Sequence, residues 1–288
     1  MNELGVLLDL PSVRLAILAL LLGSLSLPVV GVFIVGLDIM PVRFAMMHVA
    51  LLGIALGFLT GLDPLLCALV LCAVTGGALT PMARSSAGLS GAMGLLMTLA
   101  IAAALMLLSV SGVNANGAFE LLWGSILATR PFDVAALAVL AGVVPVLYWL
   151  RRRDLALLLH DRELALCSGV AVDRLTLILL VIISLAIASA IRLTGALLVD
   201  ALTLLPALAA RRVGGSLAAM IRWSLVFGLA FNVGGFFLAL LFDLPPGPTL
   251  VLVGGVVTLL IHAVPTYRKG SPQSCASSSA SPLSPSSH

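Results

Sequence analysis

Apolar residues in this chain come in long unbroken blocks, not in the alternation of a strand or the one-sided stripe of a surface helix. Nine blocks of about 17–23 residues occupy 15–36, 44–61, 64–80, 89–110, 132–150, 175–191, 194–210, 223–241 and 248–264. At about 1.5 Å per residue each can cross a hydrocarbon layer as an α-helix. The expected fold is therefore an all-α polytopic membrane protein with about nine transmembrane helices. The breaks fall at turn and charge signals: Asp38 to Arg43, Gly61-Leu62-Asp63-Pro64, Pro81 to Ser86, and Asp243 to Pro248.

Four stretches interrupt this pattern. Residues 1–13 carry Glu3 and Asp9 where a cleavable signal would carry positive charge, so they read as an interfacial segment before the membrane domain of 14–265. Residues 111–131 hold Asn114, Asn116 and Gly117, then an apolar stretch at 119–128, and suggest an external loop with a short re-entrant or interfacial helix. Residues 154–174 form the longest internal connection. Within it, 161–166 predicts a short charged helix ending near Ser168-Gly169, where a glycine suits a C-cap. Composition alone makes that connection a solvated linker. From 266 to 288 the chain becomes Ser-rich, with Pro272, Pro282 and Pro285, and predicts a disordered tail.

Composition fixes the solvent. Hydrophobic residues make up 61% of the 288 and charged residues only 9%, with a mean hydropathy of +1.23. No globular interior of this size could bury so much apolar surface, so lipid must cover the rest. The net charge of +3 gives no reason to expect nucleic acid as a partner. Cys67, Cys72, Cys167 and Cys275 show neither a C-x-x-C pair nor zinc-type spacing. Charge also sets orientation. If Arg151, Arg152 and Arg153 are cytoplasmic, alternation across nine spans leaves only Arg14, Arg130 and Arg192 outside, out of 15 Lys and Arg. The positive-inside rule then puts the C-terminus in the cytoplasm and the N-terminus outside.

Candidate chemistry is sparse. Only His48 and Asp200 are strongly polar and clearly inside apolar blocks. Such groups cost roughly 2.5–3.5 kcal/mol in hydrocarbon and usually face a cavity, a partner or a substrate path. The plain alternatives are a neutral His48 bonded to a backbone carbonyl and an Asp200 that caps a broken helix. Gly53 and Gly57, Gly234-Gly235 and Gly254-Gly255 permit close helix approach, as ordinary membrane glycines also would. Pro28 and Pro206 are expected to kink or break their helices, the second six residues beyond Asp200.

Three stretches together resemble the permease subunits of the manganese/zinc/iron-type ABC importers. One is Val42-Arg43-Phe44-Ala45-Met46-Met47-His48, followed by an apolar run with Gly53 and Gly57. A second is Leu122-Trp123-Gly124-Ser125-Ile126-Leu127-Ala128. The third joins Asp161-x-Glu163-x-Ala165-x-x-x-Gly169 to Thr194-Gly195-Ala196-Leu197-Leu198-Val199-Asp200-Ala201-Leu202 and Leu204-Leu205-Pro206-Ala207. The likeness runs in order over roughly 15–265.

The resemblance implies half of a homodimeric importer channel in a bacterial plasma (inner) membrane. A separate ATPase subunit would sit beneath it, and an extracytoplasmic solute-binding protein would deliver a divalent transition metal, zinc or manganese. The chain itself would be a transport subunit, not an enzyme, with no cofactor beyond the transported ion. It has no G-x-x-x-x-G-K-[ST] phosphate loop and no lysine before Lys269. In that setting Asp161, Glu163 and Gly169 become a coupling helix seated on the ATPase, and His48 and Asp200 become the translocation path.

One departure touches the substrate. Metal-importing relatives resemble one another in an aspartate four residues before the histidine, on the same helix face, and here that residue is Phe44. Asp200 stands where a small residue is expected, and can restore a carboxylate if its helix packs beside that of His48. The alternative is a non-metal or metal-chelate cargo. A secondary transporter would show an internal repeat, and 15–150 does not repeat in 154–264. A membrane enzyme would need more polar groups converging at one depth.

Overall fold

The computed structural model describes residues 11–81, 86–111 and 129–263. Among them the secondary structure is entirely helical: α1 (Pro11–Gly36), α2 (Met40–Thr60), α3 (Pro64–Ala78), α4 (Ser86–Val110), α5 (Pro131–His160), α6 (Arg162–Cys167), α7 (Val172–Val213), α8 (Leu217–Leu241) and α9 (Pro246–Ala263). Seven stretches, on α1, α2, α4, α5, the first half of α7, α8 and α9, are long and apolar enough to span a membrane. The other two apolar blocks are α3, only 15 residues long, and the second half of α7. The expected interfacial segment before Pro11, the external 112–128 stretch and the tail from 264 lie outside the described residues.

The α2–α3 hairpin shows how local sequence sets geometry. Gly61 closes α2 at φ 73°, a left-handed conformation that costs glycine nothing. Asp63 then opens α3, its carboxylate accepting the N–H groups of Leu65 (2.9 Å) and Leu66 (3.3 Å), with Pro64 at the first helical position. Above that turn the two helices touch backbone to backbone. A Cβ at Gly57 would lie 2.5 Å from Pro64 Cα, and one at Gly53 would lie 2.4 Å from Ala68 Cα. The small-residue pair therefore joins two helices of one chain.

α7 occupies the centre and packs against α1, α2, α3, α5, α8 and α9. Its 42 residues form two helices across a break at Gly195, where φ is 73° and ψ 168°. The break thus falls at Gly195 and not at Pro206, which lies inside the second half; Pro28 likewise lies inside α1. Close approach recurs around α7. A Cβ at Gly31 of α1 would meet the Thr203 carbonyl oxygen, and one at Gly76 of α3 would stand 2.5 Å from Ser184 Oγ.

The view that only His48 and Asp200 are strongly polar inside spans is also corrected. Asn232 in α8 is 2% exposed and donates to Ser24 Oγ at 2.7 Å, and Ser24 donates on to the Leu20 carbonyl at 2.6 Å. Ser224 donates to the Pro28 carbonyl at 2.9 Å. Such bonds hold α8 to α1 where no water competes.

The connection at 154–174 is more ordered than a linker. α5 bends at Arg151 (φ −115°, ψ 21°) and continues as helix to His160, so only α6 and its caps join it to α7. Lipid is the natural neighbour of the outward faces of α4, α5 and α9, where Met106, Trp149 and Leu259 are 71–72% exposed.

Gly57→Leu should lower the thermal unfolding midpoint of detergent-solubilised protein, overpacking costing about 1–3 kcal/mol. Gly142→Leu, at a glycine facing open space, should leave it unchanged. Equal midpoints for both variants would contradict the close α2–α3 contact.

Candidate translocation path and coupling segment

His48 sits midway along α2, half-buried. Its Nδ1 lies 2.7 Å from the carbonyl oxygen of Phe44, one turn back. A carbonyl can only accept, so Nδ1 carries a proton, and in the neutral tautomer with that bond Nε2 is the free acceptor. This is the bonded histidine of the plain reading, and it is also the arrangement that orients an imidazole as a metal ligand. The hydrogen bond therefore does not separate the two readings; what faces Nε2 does.

Phe44 is 41% exposed, one turn from His48. Its ring carries the Arg43 guanidinium, whose Cζ lies 4.3 Å from the ring centroid, and Arg43 is 2% exposed. A carboxylate is thus replaced by an aromatic face already engaged with a cation. Sequence reading placed Arg43 in the break between the first two apolar blocks; its inclusion in the first turn of α2 buries it instead.

Asp200 lies on the second half of α7, five residues beyond the Gly195 break, and its side chain lies outside the described residues. α2 packs against α7, as a shared site with His48 requires. Gly195 is buried, and its backbone conformation is essentially restricted to glycine. A break of this kind leaves helix-terminal polar groups inside a bundle, where a passing ion can use them. Among the described residues no group of three His, Cys, Asp or Glu side chains could hold a metal. Cys72 Sγ points to the Met46 carbonyl at 3.6 Å and takes no part.

The coupling candidates fall together. Asp161 caps α6, its Oδ1 accepting from Glu163 N at 2.7 Å and Leu164 N at 3.2 Å. The helix ends in a Schellman motif: Val170 N–H donates to Ala165 O and Gly169 N–H to Leu166 O, both at 3.1 Å, with Gly169 at φ 77°. Glu163, Leu164 and Leu166 are exposed while Ala165 is buried. A six-residue helix is thus fixed at both ends and offers a mixed acidic and apolar outer face. Behind it lies a cavity of about 290 Å³ between the α1–α2 turn, the end of α5 and the start of α7, with Thr176 on its wall. No sequence signal marked that cavity, because its walls are far apart in the chain.

Comparison with known proteins agrees with this architecture. The model of the ABC 3 transport family matches residues 9–265. The chain is 25% identical over 251 residues to the high-affinity zinc uptake system membrane protein ZnuB of Haemophilus influenzae, covering 84% of this chain and 94% of that protein. It is 24% identical over 248 residues to the manganese transport system membrane protein MntC of Halalkalibacterium halodurans, covering 85% and 84%. The solved structure of PsaBC from Streptococcus pneumoniae in complex with Fab superposes with a TM-score of 0.80 over 92% of this chain and 96% of that one, at 24% identity, a likeness of fold. The fold is that of a multi-pass helical membrane protein, and the family match makes the chain a transport subunit rather than a catalyst. The chain belongs to the ABC 3 transport family and is the membrane permease of an ABC transport system.

Gly195→Ala should destabilise the protein by about 1–3 kcal/mol, since alanine must strain to keep that backbone or straighten α7. Thermal unfolding checks the first effect and transport assays the second. An alanine variant with unchanged midpoint and unchanged transport would mean that the break is dispensable.

Proposed function

We propose that this permease forms half of a homodimeric channel that moves a divalent transition metal, zinc or manganese, into a bacterial cell across the plasma membrane. A separate ATPase subunit energises it and an extracytoplasmic solute-binding protein supplies the ion. The C-terminus, α6 and the Arg151–Arg153 run face the cytoplasm, in keeping with the charge asymmetry along the chain. The α1–α2 turn, the end of α5 and α6 border one cavity, which suits their assignment to one side. The names of the zinc and manganese relatives support the substrate class.

The observation that carries the metal reading is the family match over residues 9–265 together with the zinc and manganese relatives. The Nδ1 bond of His48 to the Phe44 carbonyl is compatible with it, since it leaves Nε2 available as a ligand. Asp200 supplies the carboxylate that Phe44 lacks. Two ligands from each subunit, completed by water, give the weak binding that passage requires. Asp161, Glu163 and Gly169 form the coupling element, with the exposed face of α6 docking into the ATPase.

A non-metal or metal-chelate cargo is the second reading, and Phe44 favours it, since it removes the carboxylate that a free ion would meet one turn before His48.

His48→Ala and Asp200→Ala should each abolish uptake of radiolabelled zinc or manganese by cells while the protein still reaches the membrane. Normal uptake by either variant would remove that residue from the path. Phe44→Asp should raise uptake of the free ion under the metal reading and leave it at background under the chelate reading. For coupling, Glu163→Arg should leave assembly intact but abolish substrate-stimulated ATP hydrolysis by the purified complex; normal stimulation would overturn the assignment of α6.

A further inference from the structure

α5 carries a surface that neither transport nor coupling uses. Its inward side is set by Leu137, Leu140 and Val144, at most 6% exposed. Its outward side is a valine stripe at helical spacing, Val139, Val143 and Val146, 44–64% exposed, continued by Leu150 at 65%. The apolar stretch from Phe132 to Leu150 rises about 28 Å, the thickness of a hydrocarbon core. Trp149, 71% exposed, therefore stands at the interface, where indoles collect.

Immediately beyond, the helix bends at Arg151. Arg151 is held by Asp154 at 3.2 Å. Arg152 and Arg153 are exposed and pair with no acidic group among the described residues. Past the bend, Leu155 and Leu158 return to the protein side, so Arg152, Arg153 and Ala156 share the outer one. Two exposed guanidiniums thus follow the lipid-facing valine stripe at headgroup depth.

We propose that the α5 bend is a binding site for an anionic phospholipid, with its phosphate between Arg152 and Arg153 and its acyl chains along Val139, Val143 and Val146. Charge complementarity selects the occupant: guanidinium pairs with phosphate oxygens in a bidentate way, and a zwitterionic headgroup brings its own competing cation. Each basic residue near an anionic headgroup is worth about fivefold in local enrichment (~1 kcal/mol). Asp161 is both the C-cap of α5 and the N-cap of α6, so a headgroup held at the bend also bears on the position of α6.

Trp149 reports on this site directly and independently of transport. In the full-length Trp123→Phe/Trp223→Phe protein it is the sole tryptophan. The protein is placed in phosphatidylcholine vesicles containing phosphatidylglycerol, with bromine on the acyl chains of one lipid or the other. Brominated phosphatidylglycerol should quench Trp149 as though enriched about fivefold for each of the two arginines, roughly 25-fold over its bulk fraction. R152Q/R153Q should return quenching to the bulk ratio, and R152K/R153K should keep most of the enrichment. Bulk-ratio quenching in the parent protein, or enrichment that survives R152Q/R153Q, would overturn the proposal. Inorganic phosphate at matched ionic strength should leave the ratio unchanged; loss of enrichment would identify a site for free phosphate instead of lipid.

Discussion

Close backbone contact with α7 is the constraint on which the other helices depend. In lipid, apolar side chains gain little by leaving one hydrocarbon surface for another, so helices associate where small residues let backbones approach and dispersion contacts accumulate. Gly31 meets the Thr203 carbonyl, Gly76 meets Leu180 and Ser184, and Gly254 meets Leu205. Three helices are thereby seated on different stretches of one central element. The hairpin of α2 and α3 uses the same device at Gly53 and Gly57. Larger residues at these positions would separate helices that only short-range forces hold together.

That central element is itself interrupted at Gly195. An unbroken helix of 42 residues would be about 63 Å long, twice what a bilayer needs. Gly195 divides it, so that Asp200 lies near the start of a second helix within the bundle. Proline is the usual suspect for such a break, yet Pro28 and Pro206 remain inside their helices and are packed around Gly228, whose added Cβ would meet both rings within 4 Å. Neighbouring helices can absorb a missing N–H in a membrane bundle. A positive φ cannot be absorbed that way and must be met by glycine.

The proposed path and the proposed coupling segment place opposite demands on the fold. A path through His48 needs access to its ring, which is half-buried in the single chain. α6 needs to be rigid, and its double capping and Schellman turn give a six-residue helix a stability its length alone would not. Behind it the cavity beside Thr176 leaves space that a fully packed core would not have.

Much of this was legible in the chain. Apolar block length gave the spans, because the bilayer is a ruler, and Gly61, Asp63-Pro64, Asp161 and Gly169 marked their turns and caps through local backbone chemistry that needs no neighbours. The ordered motifs gave the family. What the chain did not reveal depends on partners distant in sequence. The glycines looked alike until packing showed Gly53 against Ala68 and Gly142 against nothing. Asn232 carried no signal in the sequence, because its bond comes from Ser24, 208 residues away. Arg43 read as part of the break between two apolar blocks until α2 began early enough to bury it beside Phe44. Local propensity and hydropathy are written residue by residue; burial and pairing come into being only when distant segments meet.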